Sequence, residues 1–265
     1  MGRPLSDELE RRLEGGVLTL TLARPESRNA LNLALIKALA AALREAESDP
    51  AVRCVVLTGK GKAFCAGGDI KEMTERAGKA VATKERLQQG LNRVARSVWE
   101  MEKPVVAKVN GDAAGAGFGL MLACDLVYAA ESAKFHASFI RMGLIPDVGG
   151  SFTIPRRVGL HRAKEMLFLG KTVNAKEAEG LGLVNRVMPA DELDAHVDGV
   201  AATLAASPTK TLGLAKRAMH RGLASTFDEA LEHEAYAQGY CFTTEDHVEG
   251  TKAYFEKREP KFKGA

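Results

Sequence analysis

The 265 residues contain only four cysteines, Cys54, Cys65, Cys124 and Cys241, scattered with no CxxC pair. That excludes a disulfide framework and a cysteine-based zinc site, and fits a reduced cytoplasmic setting. Aromatic residues are 6%, with Trp99 the single tryptophan. No run approaches the ~18 apolar residues of a membrane span. Met1–Glu8 carries no apolar core of a secretory signal. Neither sign of charge dominates: 37 basic against 34 acidic residues leave a formal net charge of +3. No field suited to nucleic acid is implied. The five Lys or Arg between Lys79 and Arg96 are interrupted by Glu85 and apolar residues, which makes a poor RNA-binding face. No HExxH is present, and His161, His196, His220, His233 and His247 have no metal-ligand spacing, so no metal is expected.

Apolar residues, at 46%, suffice for a sizeable core. Val17 to Leu22 alternates Leu18, Leu20 and Leu22 against Thr19 and Thr21, the pattern of a half-buried strand. Leu31 to Ala46 has helical spacing and stops at Asp49-Pro50. Val52 to Thr58, Val105 to Val109 and Asp125 to Ala129 read as strands, and Ala80 to Met101 as one long helix. Strands alternating with helices predict an α/β class with parallel pairing. After about Ala190, only helices are predicted: Asp191 to Ala206, Pro208 to Arg221, Thr226 to Cys241 and Asp246 to Lys257. The chain therefore divides into a core over residues 1–190 and a helical region over 191–265, whose apolar faces need the core or a second subunit to cover them.

Two strands run into glycine-rich turns that precede helices. The first turn is Phe64-Cys65-Ala66-Gly67-Gly68-Asp69 and the second Asn110-Gly111-Asp112-Ala113-Ala114-Gly115-Ala116-Gly117. Backbone amides fixed at such turns suit a developing oxyanion, and a helix starting there adds a favourable dipole. Neither turn matches GxxxxGK[ST] or GxGxxG, so phosphate cradling is disfavoured. A third segment, Leu144-Ile145-Pro146-Asp147-Val148-Gly149-Gly150, places one carboxylate in a loop. As bare sequence, Asp147 reads equally well as a turn residue after Pro146.

The order and separation of these segments resemble the enoyl-CoA hydratase/isomerase (crotonase) family, from about Val17 to the C-terminus. Within that family the chain looks most like 1,2-epoxyphenylacetyl-CoA isomerases of phenylacetate breakdown and Δ3-Δ2 enoyl-CoA isomerases. The resemblance implies a spiral of ββα repeats followed by a helical trimerisation region, hence a homotrimer or dimer of trimers. It implies an acyl-CoA substrate, with coenzyme A as part of the substrate and no separate cofactor. The amides of Gly68 and Ala116 would form the oxyanion hole. Arg28, Ala30, Ala66, Gly68 and Ile70 would lie along the coenzyme, and Lys257 would reach a neighbour's. Phe139, Gly119 and Leu144 would line the acyl pocket.

Family hydratases carry two glutamates at positions that here are Gly119 and Phe139, neither able to move a proton. Asp147 remains, at a position other members use for catalysis. One carboxylate suffices for isomerisation, removing a proton from one allylic carbon and returning it to another on the same face. An apolar site would raise its pKa, and Phe139, Ile140 and Leu144 nearby suit that. Other readings are a hydratase-like lyase with a rearranged acid/base set, and an acyl-CoA-binding module without turnover. A haloaryl-CoA dehalogenase would want Trp at Phe139 and a histidine in the Ala80 to Met101 helix, which has none. Among lesser candidates, Cys65 reads as a packed thiol, Asp69 as a helix cap, Asp112 as a turn residue or second acid, Asp125 as a loop fixer and His136 as a packed or surface residue or a polar lining one.

Overall fold

A computed structural model of the chain describes residues 7–265; the N-terminal reading over Met1 to Ser6 lies outside the described residues. The chain runs β1 (Leu9–Glu14), β2 (Val17–Leu22), α1 (Leu33–Ser48), β3 (Cys54–Gly59), β4 (Ala63–Cys65), α2 (Ile70–Thr74), α3 (Ala80–Gln89) and α4 (Leu91–Glu100). It continues through β5 (Val105–Val109), β6 (Asp112–Ala114), α5 (Ala116–Ala123), β7 (Leu126–Ala130), β8 (Lys134–His136), α6 (Gly150–Val158), α7 (Leu160–Phe168), β9 (Thr172–Asn174), α8 (Ala175–Gly180) and β10 (Arg186–Met188). Four helices end it: α9 (Ala190–Ala206), α10 (Thr209–Gly222), α11 (Phe227–Cys241) and α12 (Glu245–Glu256).

The strands sort into two sheets in a way that exposes a repeat. A six-stranded sheet has the order β1-β2-β3-β5-β7-β10, and a four-stranded sheet the order β4-β6-β8-β9. Thus β3/β4, β5/β6 and β7/β8 each send a first strand to the large sheet and a second to the small one, with helices following. That is the mixed α/β spiral of ββα units expected of a crotonase fold. Parallel pairing joins β2, β3, β5, β7 and β10, as expected, while β1 pairs antiparallel with β2.

Strand β3 is buried along its whole length because both faces are covered. Val55 and Leu57 face the main core, and Cys54 and Val56 the other side. There Leu193, Val197, Ala201 and Ala205 of α9 pack on Val56, Val106, Ala130 and Met188. The first tail helix is therefore part of the core. A buried ion pair ties α10 to it: Lys216 Nζ lies 2.9 Å from Asp125 Oδ2 and donates to the Val98 carbonyl at 2.9 Å. The same Asp125 oxygen accepts the Val105 amide at 2.8 Å, so Asp125 does fix a loop. Beyond this, α11 buries none of its residues, and Tyr254 and Phe255 on α12 are 80% and 78% exposed.

The predicted long helix from Ala80 is two helices, broken at Gly90 (φ −113°, ψ −96°). A Cβ at Gly90 would stand 2.8 Å from the Arg86 carbonyl and 3.1 Å from Ile36 Cγ2. The break lets the chain pass close over α1, and glycine alone leaves room for that approach.

Candidate active site

The two glycine turns pack directly on each other. Gly67 has φ +92°, a conformation glycine adopts freely, and its missing Cβ would lie 2.7 Å from the Ala114 carbonyl and 3.2 Å from the Ala116 nitrogen. From the other side, a Cβ on Gly117 would overlap the Cys65 carbonyl and lie 2.6 Å from Cys65 Cβ and 2.8 Å from Sγ. Two absent side chains thus bring the first turn against the N-terminus of α5. Gly115, at φ +50°, opens that helix, and its amide donates to the His136 carbonyl at 3.2 Å. Among the described residues, neither the Gly68 nor the Ala116 amide has an acceptor within the protein. Both sequence-predicted oxyanion donors therefore sit side by side and free. All eight residues of α5 are buried, so its dipole acts in a poorly hydrated place where it counts most.

Two asparagines hold the 59–63 connection that leads into the first turn. Asn29 is fully buried with φ +58°; its Nδ2 donates to the Ala63 carbonyl at 2.7 Å and the Lys60 carbonyl at 3.0 Å, and its Oδ1 accepts the Arg24 amide at 2.9 Å. Asn110 accepts the Gly59 amide at 3.1 Å and donates to the Gly61 carbonyl at 2.9 Å. Sequence reasoning missed both roles; the only local signal was the Asn110-Gly111 turn dipeptide.

The expected coenzyme segment also assembles. The Ala66 amide donates to the Arg28 carbonyl at 2.9 Å, the Leu31 amide to the Gly67 carbonyl at 2.7 Å and the Asp69 amide to the Leu31 carbonyl at 3.3 Å. Residues 28–31 and 66–69 thus form one short parallel ledge, with Arg28, Ala66 and Ile70 exposed along it and Ala30 buried beneath. Arg28 has no ion-pair partner among the described residues. Its neighbour Arg24 is engaged by Glu8 at 3.1 Å and Asp69 at 3.0 Å. Asp69 also caps α2, accepting the Lys71 amide at 3.1 Å. Lys257, in contrast, ends α12 exposed, and no hydrogen bond or ion pair among the described residues joins it to the ledge.

The Asp147 loop lies beside these turns. Its loop rests on α5, where a Cβ at Gly119 would lie 2.9 Å from the Asp147 carbonyl. Its charge is felt at Cys65 in the first turn, where burial chiefly, with the Asp147 carboxylate adding to it, pushes the thiol up to about 12. Cys65 is therefore a protonated, packed thiol donating to the Asn29 carbonyl at 3.2 Å. Asp147 Oδ1 is buried and, among the described residues, has no hydrogen-bond partner. Burial lifts the carboxyl from its ordinary 3.8 to about 6, against the opposing pull of its own amide. An unpartnered buried carboxylate oxygen is unusual and calls for a chemical reason.

Phe139 is buried with its ring edge 3.9 Å from the Cβ position of Gly115, which makes it a wall beside the second turn. Leu144 donates its amide to the Phe139 carbonyl at 3.0 Å, but its side chain is 45% exposed, and Ile140 is 50% exposed. Of the three apolar residues expected near Asp147, Phe139 is thus the buried one and Ile140 and Leu144 are the exposed ones. Asp112 is taken up by the Lys134 amide at 3.0 Å and by His136 at 3.4 Å, and His136 Nδ1 lies 3.0 Å from Thr172 Oγ1. No group of three or more His, Cys, Asp or Glu among the described residues could hold a metal ion.

The raised carboxyl has a thermodynamic consequence. A folded-state pKa above the unfolded value favours the native state fully only below pH 3.8, and that preference is lost as pH rises through about 6. Charged Asp147 therefore costs the fold up to about 3 kcal/mol at neutral pH. Asp147→Asn, uncharged throughout, should raise the unfolding free energy at pH 7.5 by up to that amount and by less than ~1 kcal/mol at pH 4. Denaturant titrations at the two pH values check this; an equal effect at both would contradict the burial of the charge.

A family model described as enoyl-CoA hydratase/isomerase matches residues 12–265. A probable enoyl-CoA hydratase of Rhodobacter capsulatus is 39% identical, over 94% of this chain and 95% of that protein. The 1,2-epoxyphenylacetyl-CoA isomerase of Escherichia coli is 38% identical, over 95% and 97%. The crystal structure of an enoyl-CoA hydratase from Bacillus anthracis superposes with a TM-score of 0.92 at 34% identity, over 98% of this chain and all of that one. Relatives named for hydration and for isomerisation thus stand at nearly equal distance.

Proposed function

The chain belongs to the enoyl-CoA hydratase/isomerase family, and from that premise we propose that it is an acyl-CoA isomerase. It shifts a double bond, or rearranges a ring epoxide, through a thioester enolate, with Asp147 as its acid/base. One observation carries this reading: Asp147 has a buried, unpartnered carboxylate oxygen in the loop that rests on α5, while the hydratase positions hold Gly119 and Phe139.

For a 3-enoyl thioester the steps follow from these residues. The Gly68 and Ala116 amides hold the thioester oxygen. Asp147 Oδ1 takes the C2 proton; the electron pair moves onto the thioester oxygen, where the two amides and the α5 dipole stabilise the dienolate. Protonated Asp147 returns the proton to C4, the electrons collapse to the 2,3 double bond, and the carboxylate is regenerated. A pKa of about 6 suits both steps, since the group must accept a proton readily and give it back. Arg28 meets a coenzyme phosphate, backbone along Ala30, Ala66 and Ile70 receives the adenine and pantetheine, and Phe139 and Leu144 bound the acyl group.

The same reading makes the enzyme a cytoplasmic homotrimer or dimer of trimers. Exposed Tyr254 and Phe255, and an α11 without buried residues, give the tail a surface suited to another copy, which would carry Lys257 to the neighbour's coenzyme. Sedimentation at micromolar concentration is expected to give a trimer or larger; a monomer would contradict it.

A hydratase-like lyase is the second reading, favoured by the names of many relatives and opposed by the two missing glutamates. A non-catalytic acyl-CoA binder is the third. A spectrophotometric screen of 3-enoyl, 2-enoyl and epoxyphenylacetyl thioesters of coenzyme A separates them. Isomerisation of a 3-enoyl or epoxyphenylacetyl thioester is expected. Binding without turnover of any of them would leave the binder.

A further inference from the structure

We propose that Gly119 and Val148 are the positioning residues of Asp147: the missing side chain at 119 lets the Asp147 loop rest directly on α5. This inference rests on the isomerase reading and adds what fixes its base.

A Cβ built on Gly119 would lie 2.9 Å from the Asp147 carbonyl oxygen and 3.0 Å from Val148 Cβ. Neither atom is the loose end of a flexible side chain. The Asp147 carbonyl accepts the Gly150 amide at 2.7 Å, at the first residue of α6, so it cannot swing aside without opening that helix start. Val148 Cβ belongs to a residue only 1% exposed.

Val148 carries the second half of the argument. Its φ is +50°, and for a β-branched residue the left-handed region is a true outlier. Gly149 follows at φ +78°, so two successive left-handed residues bend the chain just after the carboxylate. Burial of the valine side chain against the core holds the bend in place. Helix α5 then serves as a spacer. Its first residue, Ala116, supplies an oxyanion amide; three residues on, Gly119 supplies the surface on which the Asp147 loop rests.

Any side chain at 119 begins 2.9 Å from the Asp147 carbonyl and 3.0 Å from Val148 Cβ, so the Asp147 loop must give way before one can stand there.

The test compares Gly119→Ala, Val148→Gly and the double variant with wild type, using a 3-enoyl thioester for turnover and acetoacetyl-CoA for binding. Gly119→Ala should lower kcat by roughly 10²-fold through misplacement of the base, a larger effect than any it has on KM or acetoacetyl-CoA affinity. The rising limb of its kcat/KM profile should move below its wild-type position near pH 6, because a displaced carboxylate meets more water. Val148→Gly frees the bend and should lower kcat several-fold. The double variant should regain part of the rate lost in Gly119→Ala, since a glycine at 148 has no Cβ to collide and turns aside easily.

A crystal structure of Gly119→Ala gives a readout independent of activity: an unmoved 146–149 loop would overturn the proposal. Wild-type kcat and pH profile in Gly119→Ala, with Asp147→Asn inactive, would overturn it and leave the isomerase reading intact. Absence of isomerisation by wild type would sink the isomerase reading itself, and the loop position in the crystal would still decide the steric point. Should Gly119→Ala fail to fold, Val148→Gly decides alone, an unchanged kcat and profile counting against the proposal.

Discussion

Replacing Asp147 by Asn is expected to cut isomerisation by ~10²–10⁴-fold, the usual worth of a general base, while acetoacetyl-CoA still binds with near-native affinity. The substitution keeps the shape of the side chain and removes its capacity to take a proton. The amides of Gly68 and Ala116, which hold the thioester oxygen in the proposed complex, are untouched, as is the ledge joining residues 28–31 to 66–69. The loss should therefore fall on kcat. Single-turnover rates with a 3-enoyl thioester, alongside calorimetry with acetoacetyl-CoA, separate the two quantities. Loss of binding equal to loss of rate would mean that Asp147 supports the pocket and performs no proton transfer.

Gly117→Ala should lower rate and enolate affinity together. Its new methyl would overlap the Cys65 carbonyl and crowd Cys65 Cβ and Sγ, at 2.6 and 2.8 Å, in the place where the two turns meet. Cys65 is fully buried and hydrogen-bonded to Asn29, so it has nowhere to retreat. The turns must part, and the two free amides lose their common target. Losing one oxyanion donor costs ~2.7–4 kcal/mol, or about 10²–10³ in kcat. Here the enolate mimic should lose affinity as well, because it uses the same donors. Wild-type affinity for acetoacetyl-CoA in a folded Gly117→Ala protein would mean that the oxyanion is held elsewhere.

Much of this site was legible in the sequence because glycines mark where backbone must approach backbone. Gly67, Gly68, Gly115 and Gly117 announced both turns, and β3 and β5 are apolar runs bounded by clear breaks, although the strands that enter the turns directly are the short β4 and β6. The tail helices α9 to α12 were legible as four successive helical segments with no strand between them; the structure adds Thr226 and Thr244 as the caps of α11 and α12. What stayed hidden has physical reasons. Strands β4, β6, β8, β9 and β10 have three residues each, too short for a period of two to show. Edge strand β1, Leu9–Glu14, exposes five of its six residues and reads as a charged loop, as edge strands often do. Gly90 looked like a tolerated glycine inside a helix until Ile36 appeared beside it. The grip of Asn29 on Ala63, 34 residues away, and the contact of Gly119 with Asp147 are non-local and leave no trace in spacing. The left-handed turn at Val148 runs against the preference of its own residue type, so only the folded chain reveals it.

The most direct measurement is hydration of crotonyl-CoA by the wild-type protein, set beside isomerisation of a 3-enoyl thioester in the same preparation. With Gly119 and Phe139 where water activation would need carboxylates, hydration should be slower by a wide margin. Efficient crotonyl-CoA hydration that survives Asp147→Asn would contradict Asp147 as the acid/base of an isomerase.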